Sequence, residues 1–376
     1  MNKEWKARTL GEVCSVFLDG DWIESKDQSS SGIRLIQTGN VGEGVFKDRK
    51  AKARYISEET SKRLNCTEIV QGDCLISRLP EPVGRACLLP ETDESMITAV
   101  DCSILRFNET LESKYFIYYS LSSQYLSSVD RQCSGATRKR ISRKKLMLIE
   151  IPLPSILEQK RIVKILDEKF EVIDQLKRVA EAQLSSAKDL FESRLNEVFA
   201  SDIKCKQVLL VDILKLEYGK PLDRSERSAI GAYPVYGANG IKAYSEKYFC
   251  DQEGIVVGRK GSAGEVNITH TKFWPLDVTY FVTCDRNQNN LVYIFYLLKS
   301  LKLQQYATGV KPGLNRNDAY AISINLKSLD EQLKVVKKLD RLSKQTKDLE
   351  VIFLQKVTEL EELKKSYLHQ AFSGNL

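Results

Sequence analysis

Ser155-Ile156-Leu157-Glu158 and Ser328-Leu329-Asp330-Glu331 are two copies of one signal, 173 residues apart. Each is a Ser-x-x-Glu capping box in front of a long apolar-periodic run. The serine oxygen can accept from the amide three residues on, while the glutamate reaches back to the cap amide, so both mark helix starts. The runs have the same length, Ser155 to Phe199 and Ser328 to Phe372. The repeat is wider than the caps: Ile151-Pro152-Leu153 recurs as Ile324-Asn325-Leu326, and Glu158-Gln159 as Glu331-Gln332. The chain therefore reads as a tandem duplication in which each unit ends in a long helix.

Within the runs, apolar residues recur at steps of three and four. Ile162, Ile165, Leu166, Phe170 and Ile173 lie in the first, and Leu329, Leu333, Val336, Leu339 and Leu342 in the second. Lys, Glu, Asp and Arg crowd the other faces, the pattern of a two-helix coiled coil with a solvated outside. At about 1.5 Å per residue each helix would be roughly 65 Å long. Two readings are open: helices that form a dimer, or a rigid spacer within one chain. The equal lengths favour the spacer, with antiparallel helices and a module at either end.

Composition sets the outer bounds. A chain of 376 residues holds two or three domains, and 42% hydrophobic with 28% charged residues is ordinary for a globular protein. No apolar stretch approaches the roughly 18 residues of a membrane span. The opening Met1-Asn2-Lys3-Glu4-Trp5-Lys6 lacks the apolar core of a signal peptide. The nine cysteines stand singly, with no Cys-x-x-Cys pair, which fits reduced thiols in a cytoplasm better than disulfides or zinc. The net charge of +7 is compatible with a polyanionic partner.

Strand-like segments occupy Ile33 to Ile36, Cys74 to Ser77, Arg85 to Leu88 and Cys102 to Phe107, with Leu10 to Val16 a strand or turn before them. Tyr115, Tyr118, Tyr119, Leu121 and Tyr125 predict a helix from about Leu111 to Val129. The second unit repeats this order in fewer residues. Val211 to Leu216 answers the opening, and Pro234 to Asn239 stands for Leu35 to Asn40. Ile255 to Arg259 answers Leu75 to Arg78, Leu276-Asp277 answers Val100-Asp101, and Tyr293 to Tyr296 answers Tyr115 to Tyr118. The first module thus carries extra loop.

Catalytic signatures are missing from the sequence. Gly219-Lys220 runs into Pro221 rather than completing a phosphate loop, the glycines at 258, 261 and 264 do not match a dinucleotide fingerprint, and no amino-methyltransferase motif occurs. Candidates for holding DNA are clearer. Arg131 to Lys145 contains Arg138, Lys139 and Arg140 and no acid after Arg131, and its counterpart runs from Thr308 through Lys311, Asn315 and Arg316. Basic residues on glycine-containing loops suit phosphate contact, although a charge run is commonly just a solvated loop. The turn Gly258-Arg259-Lys260-Gly261-Ser262-Ala263-Gly264 has its first-module counterpart in Ser77, Arg78, Gly84 and Arg85. Thr38 and Asn40, and Tyr236, Gly237, Asn239 and Gly240, mark further loops. Arginine can bond guanine bidentately, and asparagine adenine.

Together these segments resemble the DNA-specificity subunit of type I restriction–modification systems. The most telling are Tyr233 to Gly240, Val257 to Gly264, Phe273-Trp274-Pro275 and the helix openings at Ile151-Pro152-Leu153-Pro154 with Glu158-Gln159 and at Glu331-Gln332. The resemblance covers essentially the whole chain, and the first module fits less closely, with Ser77-Arg78-Leu79-Pro80 in place of a glycine-rich turn. It implies an α+β fold. Two β-rich target recognition domains, at 1–150 and 201–323, would be joined by long antiparallel helices at 151–200 and 324–376. It further implies a chain without catalytic residues or metal that reads both halves of a bipartite, gapped site on double-stranded DNA. Two modification subunits would carry S-adenosylmethionine and methylate adenine, and two restriction subunits using ATP and Mg can join. The competing readings are a coiled-coil scaffold whose basic loops are merely solvated, and the recognition subunit of another methyltransferase-linked defence system.

Overall fold

The computed structural model of the chain describes residues 5–135, 138–200 and 206–376. The opening 1–4, Ala136 and Thr137 of the first basic loop, and 201–205 with Cys205 lie outside them. Two compact units result, Met1–Ala180 with Gln355–Leu376, and Glu181–Leu354. Each long helix is therefore shared, its first part in one unit and its last in the other.

In the first unit, Lys6–Thr9 pairs antiparallel with Glu150–Leu153, clamping the start of the module to the strand that leads into the first long helix. A four-stranded sheet follows in the order Cys14–Asp19, Cys102–Phe107, Cys74–Ser77, Ala86–Leu88. Cys74–Ser77 is buried throughout because both its faces are covered. Cys74 and Ile76 face a core built on the helices, and Leu75 a second core under the other sheet, as the period-two alternation of a strand requires. That other sheet runs Arg54–Ile56, Ile33–Ile36, Met96–Thr98, Glu68–Ile69.

The second unit repeats the plan. Lys206–Leu209 pairs with Ser323–Leu326. The four-stranded sheet runs Lys215–Tyr218, Thr279–Thr283, Gly254–Gly258, Val266–Thr269, the same order as in the first unit. Its second sheet has three strands, Gly240–Ser245, Tyr233–Gly237 and Trp274–Pro275. The extra length of the first module lies mainly in 37–53 and 57–73, which answer 238–239 and 246–253 in the second and include the additional strand. The fold is α+β, with two β-rich modules and two long antiparallel helices.

The helices span Ile156–Phe199 and Leu329–Phe372, as the caps and the periodicity predict. Ser155 Oγ accepts from the Glu158 amide at 3.3 Å, and Glu331 accepts from the Ser328 amide at 3.0 Å. One residue past each cap glutamate is a glutamine that does more. Gln159 is fully buried; its Oε1 accepts from the Glu112 amide at 2.8 Å and its Nε2 donates to the Thr110 and Pro154 carbonyls at 2.9 Å each. Gln332 repeats this with the Asn290 amide at 2.9 Å and the Gln288 and Lys327 carbonyls at 3.3 and 3.0 Å. About two turns later Tyr118 donates to Asp167, and Tyr296 to Asp340.

Pairing is antiparallel in each unit. In the first, Asp174 meets Lys364 and Lys177 meets Glu361 at 2.9 Å, and Phe372 packs against Tyr115 and Tyr119 with centroids 5.3 and 5.1 Å away. In the second, Lys188 meets Glu350 at 2.7 Å, Leu195 shares a buried cluster with Leu339 and Tyr296, and Phe199 packs against Tyr293 at 5.2 Å. Each module core thus takes the start of one long helix and the end of the other.

Two local expectations change, the helix after Leu111 and the register of the repeat. The helix from 111 to 129 is two helices, Ser113–Ser120 and Ser123–Gln132, because Ser122 adopts extended backbone and caps the second by accepting from the Tyr125 amide. The openings at Leu10 and Val211 take the turn form of the strand or turn expected there, and the strands begin at Cys14 and Lys215. Two repeat matches slide by one residue. Ile36 and Tyr236 are equivalent, since their carbonyls accept from Ala99 and Leu276, and the Arg78 and Arg259 amides donate to Asp101 and Val278.

Replacing Gln159 or Gln332 by Leu leaves three backbone groups without their partner. At roughly 1–3 kcal/mol for a buried group left unsatisfied, the loss of stability should exceed the ~1 kcal/mol expected for Ser155→Ala at the adjacent cap. Urea unfolding of the full chain compares the three variants directly.

Candidate nucleic-acid interface

In the second unit three loops that are separate in sequence come together. The turn after strand Gly254–Gly258 lies against the loop that precedes the short helix Arg316–Tyr320. The Leu314 amide donates to the Arg259 carbonyl at 2.9 Å and the Gly261 amide to the Pro312 carbonyl at 3.0 Å. The turn after Tyr233–Gly237 closes the group, since a Cβ on Gly258 would sit 2.1 Å from the Ser262 carbonyl and 2.8 Å from that of Ala238. Only glycine allows this approach.

On this platform the Arg259 and Arg316 guanidiniums lie 5.1 and 5.0 Å from the centre of the Tyr218 ring, which is 46% exposed. Neither arginine has a carboxylate partner among the described residues. Asn239, Lys260, Ser262, Lys311 and Asn315 are exposed around them. Asn315 also caps the short helix, accepting from the Asn317 amide at 3.0 Å. Gly240 is half-buried and opens the strand Gly240–Ser245 with φ +110°. Tyr236 and Gly237 are corrections: both are buried, and Tyr236 packs edge-on against Phe273, so neither side presents itself to a ligand. The surface offers guanidinium, ammonium and amide donors over an aromatic face, which suits phosphate and base edges.

The first unit uses the equivalent residues differently, and most of its expected contacts are structural. Arg85 is 8% exposed and spends four N–H donors on the carbonyls of Val41, Thr38, Leu79 and Pro82. Its guanidinium knits the loops from inside and cannot read a base. Ser77 is fully buried and donates to the Leu79 carbonyl. Asn40 is buried, with its carbonyl accepting from the Gln37 amide and its amide donating to the Lys47 carbonyl. Gly84 is a buried turn with φ +88°, its carbonyl taken by the Tyr125 hydroxyl. Thr38 remains half-exposed.

Arg78 is 4% exposed; it donates to the Val100 carbonyl and pairs with Asp19 at 3.4 Å. Burial pulls its guanidinium below the ordinary arginine value, with Asp19 acting the other way. Arg138, Lys139 and Arg140 are exposed as expected. The acid-free run is nevertheless partly neutralised from elsewhere. Lys139 pairs with Asp130 at 2.5 Å and Arg140 with Asp101 at 3.1 Å. The bond to Asp130 holds the Lys139 ammonium above its ordinary value.

Sequence reasoning missed Asp19 and Tyr218, the last residues of equivalent strands. Each precedes a glycine, Gly20 or Gly219, on which a Cβ would come within 2.4 or 2.2 Å of a carbonyl oxygen. That paired glycine is the signal that could have found them. Among the described residues no group of three or more His, Cys, Asp or Glu could hold a metal ion, and no helix is long and apolar enough to cross a membrane.

Comparison with known proteins places this geometry. The chain is similar along its whole length to a putative type I restriction enzyme MjaX specificity subunit of Methanocaldococcus jannaschii, at 21% identity and 94% of that protein. It is 24% identical to the type I restriction enzyme EcoprrI specificity subunit of Escherichia coli over 69% of this chain and 66% of the relative. Among solved structures, a chain from a study of complex assembly and conformational transition in a type I R-M system shares the fold with a TM-score of 0.81. Identity there is 17%, covering 99% of this chain and 98% of that one. The HsdS subunit from Thermoanaerobacter tengcongensis gives a TM-score of 0.58 at 18% identity, covering 99% and 97%. The family model for the type I restriction modification DNA specificity domain matches twice, at residues 2–184 and 203–359, and the chain therefore belongs to that family.

Proposed function

We propose that this chain reads a bipartite, gapped sequence on double-stranded DNA, one half-site per module, and recruits the modification subunits of a type I restriction–modification system. The observation that carries the reading is the duplicated loop platform at the end of the same four-stranded sheet in both modules, with Arg259 and Arg316 uncompensated in the second. Uncompensated guanidiniums on a built platform favour DNA over a scaffold with merely solvated loops. The chain itself supplies recognition. S-adenosylmethionine belongs to two modification subunits that methylate adenine, and ATP with Mg to restriction subunits that can join them. The complex works in the cytoplasm.

Within this reading Arg138 meets phosphate and Arg259 meets a base. Arg138→Ala should weaken binding to every sequence and reduce the salt slope by about 1. Lys139→Ala should act in the same direction and more weakly, because Asp130 already compensates its charge. Arg259→Ala should relax preference at particular base positions, at a cost of about 1–3 kcal/mol against the correct base. The test is binding of the assembled methyltransferase to DNA sets over a salt series. Equal weakening of all sequences by Arg259→Ala would overturn the base-reading role.

The helices set the gap. Four residues inserted in each helix add about 6 Å and nearly complete a turn, so the apolar seam survives. The half-sites should keep their sequences while the unread gap grows by one or two base pairs, given about 3.4 Å per pair. Mapping methylated sites in cells carrying the lengthened chain reads this directly; an unchanged gap with intact methylation rules out a ruler.

A further inference from the structure

Asp19 and Tyr218 occupy one and the same place. Each ends the first strand of its four-stranded sheet, opposite Ser103 or Tyr280, and each is followed by a glycine whose amide donates to the next strand's Cys102 or Thr279 carbonyl. The two arginines around them are equally matched. Arg78 and Arg259 both follow the central strand, and their carbonyls accept from the Ile141 and Leu314 amides. Arg143 and Arg316 are both the first residue of a short helix, capped by Ser142 or Asn315. The bracketed residue is what differs. Arg78 and Arg143 flank the Asp19 carboxylate at 3.4 and 3.9 Å. Arg259 and Arg316 flank the Tyr218 ring.

This exchange changes the chemistry of the platform. An aspartate pairs with the guanidiniums by charge, cancels one of them, accepts from the Ser103 hydroxyl at 3.3 Å and leaves a carboxylate that is 30% exposed in the first module. Carboxylate oxygens are acceptors only, and on a base edge they match an exocyclic amino group. A tyrosine ring holds the flat faces of the guanidiniums by cation–π attraction and leaves their in-plane N–H groups unused. Those are the donors that read guanine O6 and N7 bidentately. The first module therefore offers the Asp19 carboxylate with the half-exposed Arg143, a mixed acceptor and donor surface from which the buried Arg78 is withdrawn, and the second offers two guanidiniums on a ring, donors alone.

We propose that the residue between the two arginines, Asp19 in the first module and Tyr218 in the second, determines the base preference of its module: an amino-bearing base edge for Asp19 and guanine for the arginines held by Tyr218. This rests on the platform being the DNA-facing surface.

The test uses the full chain assembled with its modification subunits, with methylated sites mapped in cells and binding measured over a salt series. Tyr218→Asp should change the second module's half-site alone, costing about tenfold against its guanine-containing sequence, and should lower the salt slope by about 1. Tyr218→Phe keeps the ring and should leave the motif unchanged. Asp19→Asn should change the first module's half-site alone and raise the salt slope. Arg316→Ala is the control for the platform. If it leaves motif and affinity untouched, the DNA-facing reading itself is wrong. If it acts while Tyr218→Asp and Asp19→Asn leave both half-sites as they were, the assignment of specificity to these two positions is overturned. Should Tyr218→Asp lower the melting temperature too far to assemble, Asp19→Asn decides alone, since it is nearly isosteric: an unchanged first half-site refutes the proposal.

Discussion

The contact on which the rest of the structure hangs is the buried glutamine one turn into each long helix. A helix of 44 residues has no preferred exit direction from a module unless something fixes its first turn. Gln159 and Gln332 do so with three bonds each to backbone groups on both sides of the junction. The partner amides, Glu112 and Asn290, are themselves the caps of the module helices Ser113–Ser120 and Leu291–Ser300. One amide side chain thereby couples the start of the long helix to the start of a core helix, and side-chain amides in a dry junction hold only if every bond is made.

The core packing extends that constraint to the far end of each helix. Phe199 and Phe372 sit 173 residues apart and meet Tyr293 and Tyr115, the equivalent tyrosines of the two modules. A module deprived of the returning helix end would expose the aromatic face it now covers. At roughly 25 cal/mol per Å² of apolar surface, the buried Phe372 accounts for a few kcal/mol and the half-buried Phe199 for less. The duplication is therefore a folding requirement as well as a functional one, because neither core is complete without the other copy's helix.

Much of this was legible in the sequence. The capping boxes, the equal runs and the period of the apolar residues give the long helices to within a residue, because caps and periodicity are local signals. The repeat locates the equivalent loops, although it slides by one residue at Tyr236 and Val278, where loops of unequal length precede the match. Burial was not legible. Arg78 and Arg85 border a turn that holds Pro80 and Pro82 and read as DNA contacts, yet both are buried, because carbonyls from Thr38, Val41 and Val100 accept from their guanidiniums. Those partners are tens of residues away in sequence, and no local pattern announces them.

Charge behaves in the same non-local way. The densest basic run in the sequence, around Arg138 to Lys145, loses much of its field to Asp130, Asp101 and Asp19. Arg259 and Arg316 stand on separate loops, 57 residues apart in sequence, and become a pair only when the fold brings both to Tyr218. What a loop can present to a polyanion depends on which opposite charges the fold delivers beside it, since pairs at 3–4 Å cancel most of each other's field beyond a Debye length of about 8 Å. By that criterion the second module carries the stronger donor surface, although the first contains the longer basic run. Two modules on one scaffold thus differ in the donors and acceptors they present through an exchange at one strand end, Asp19 against Tyr218, between arginines at matched positions.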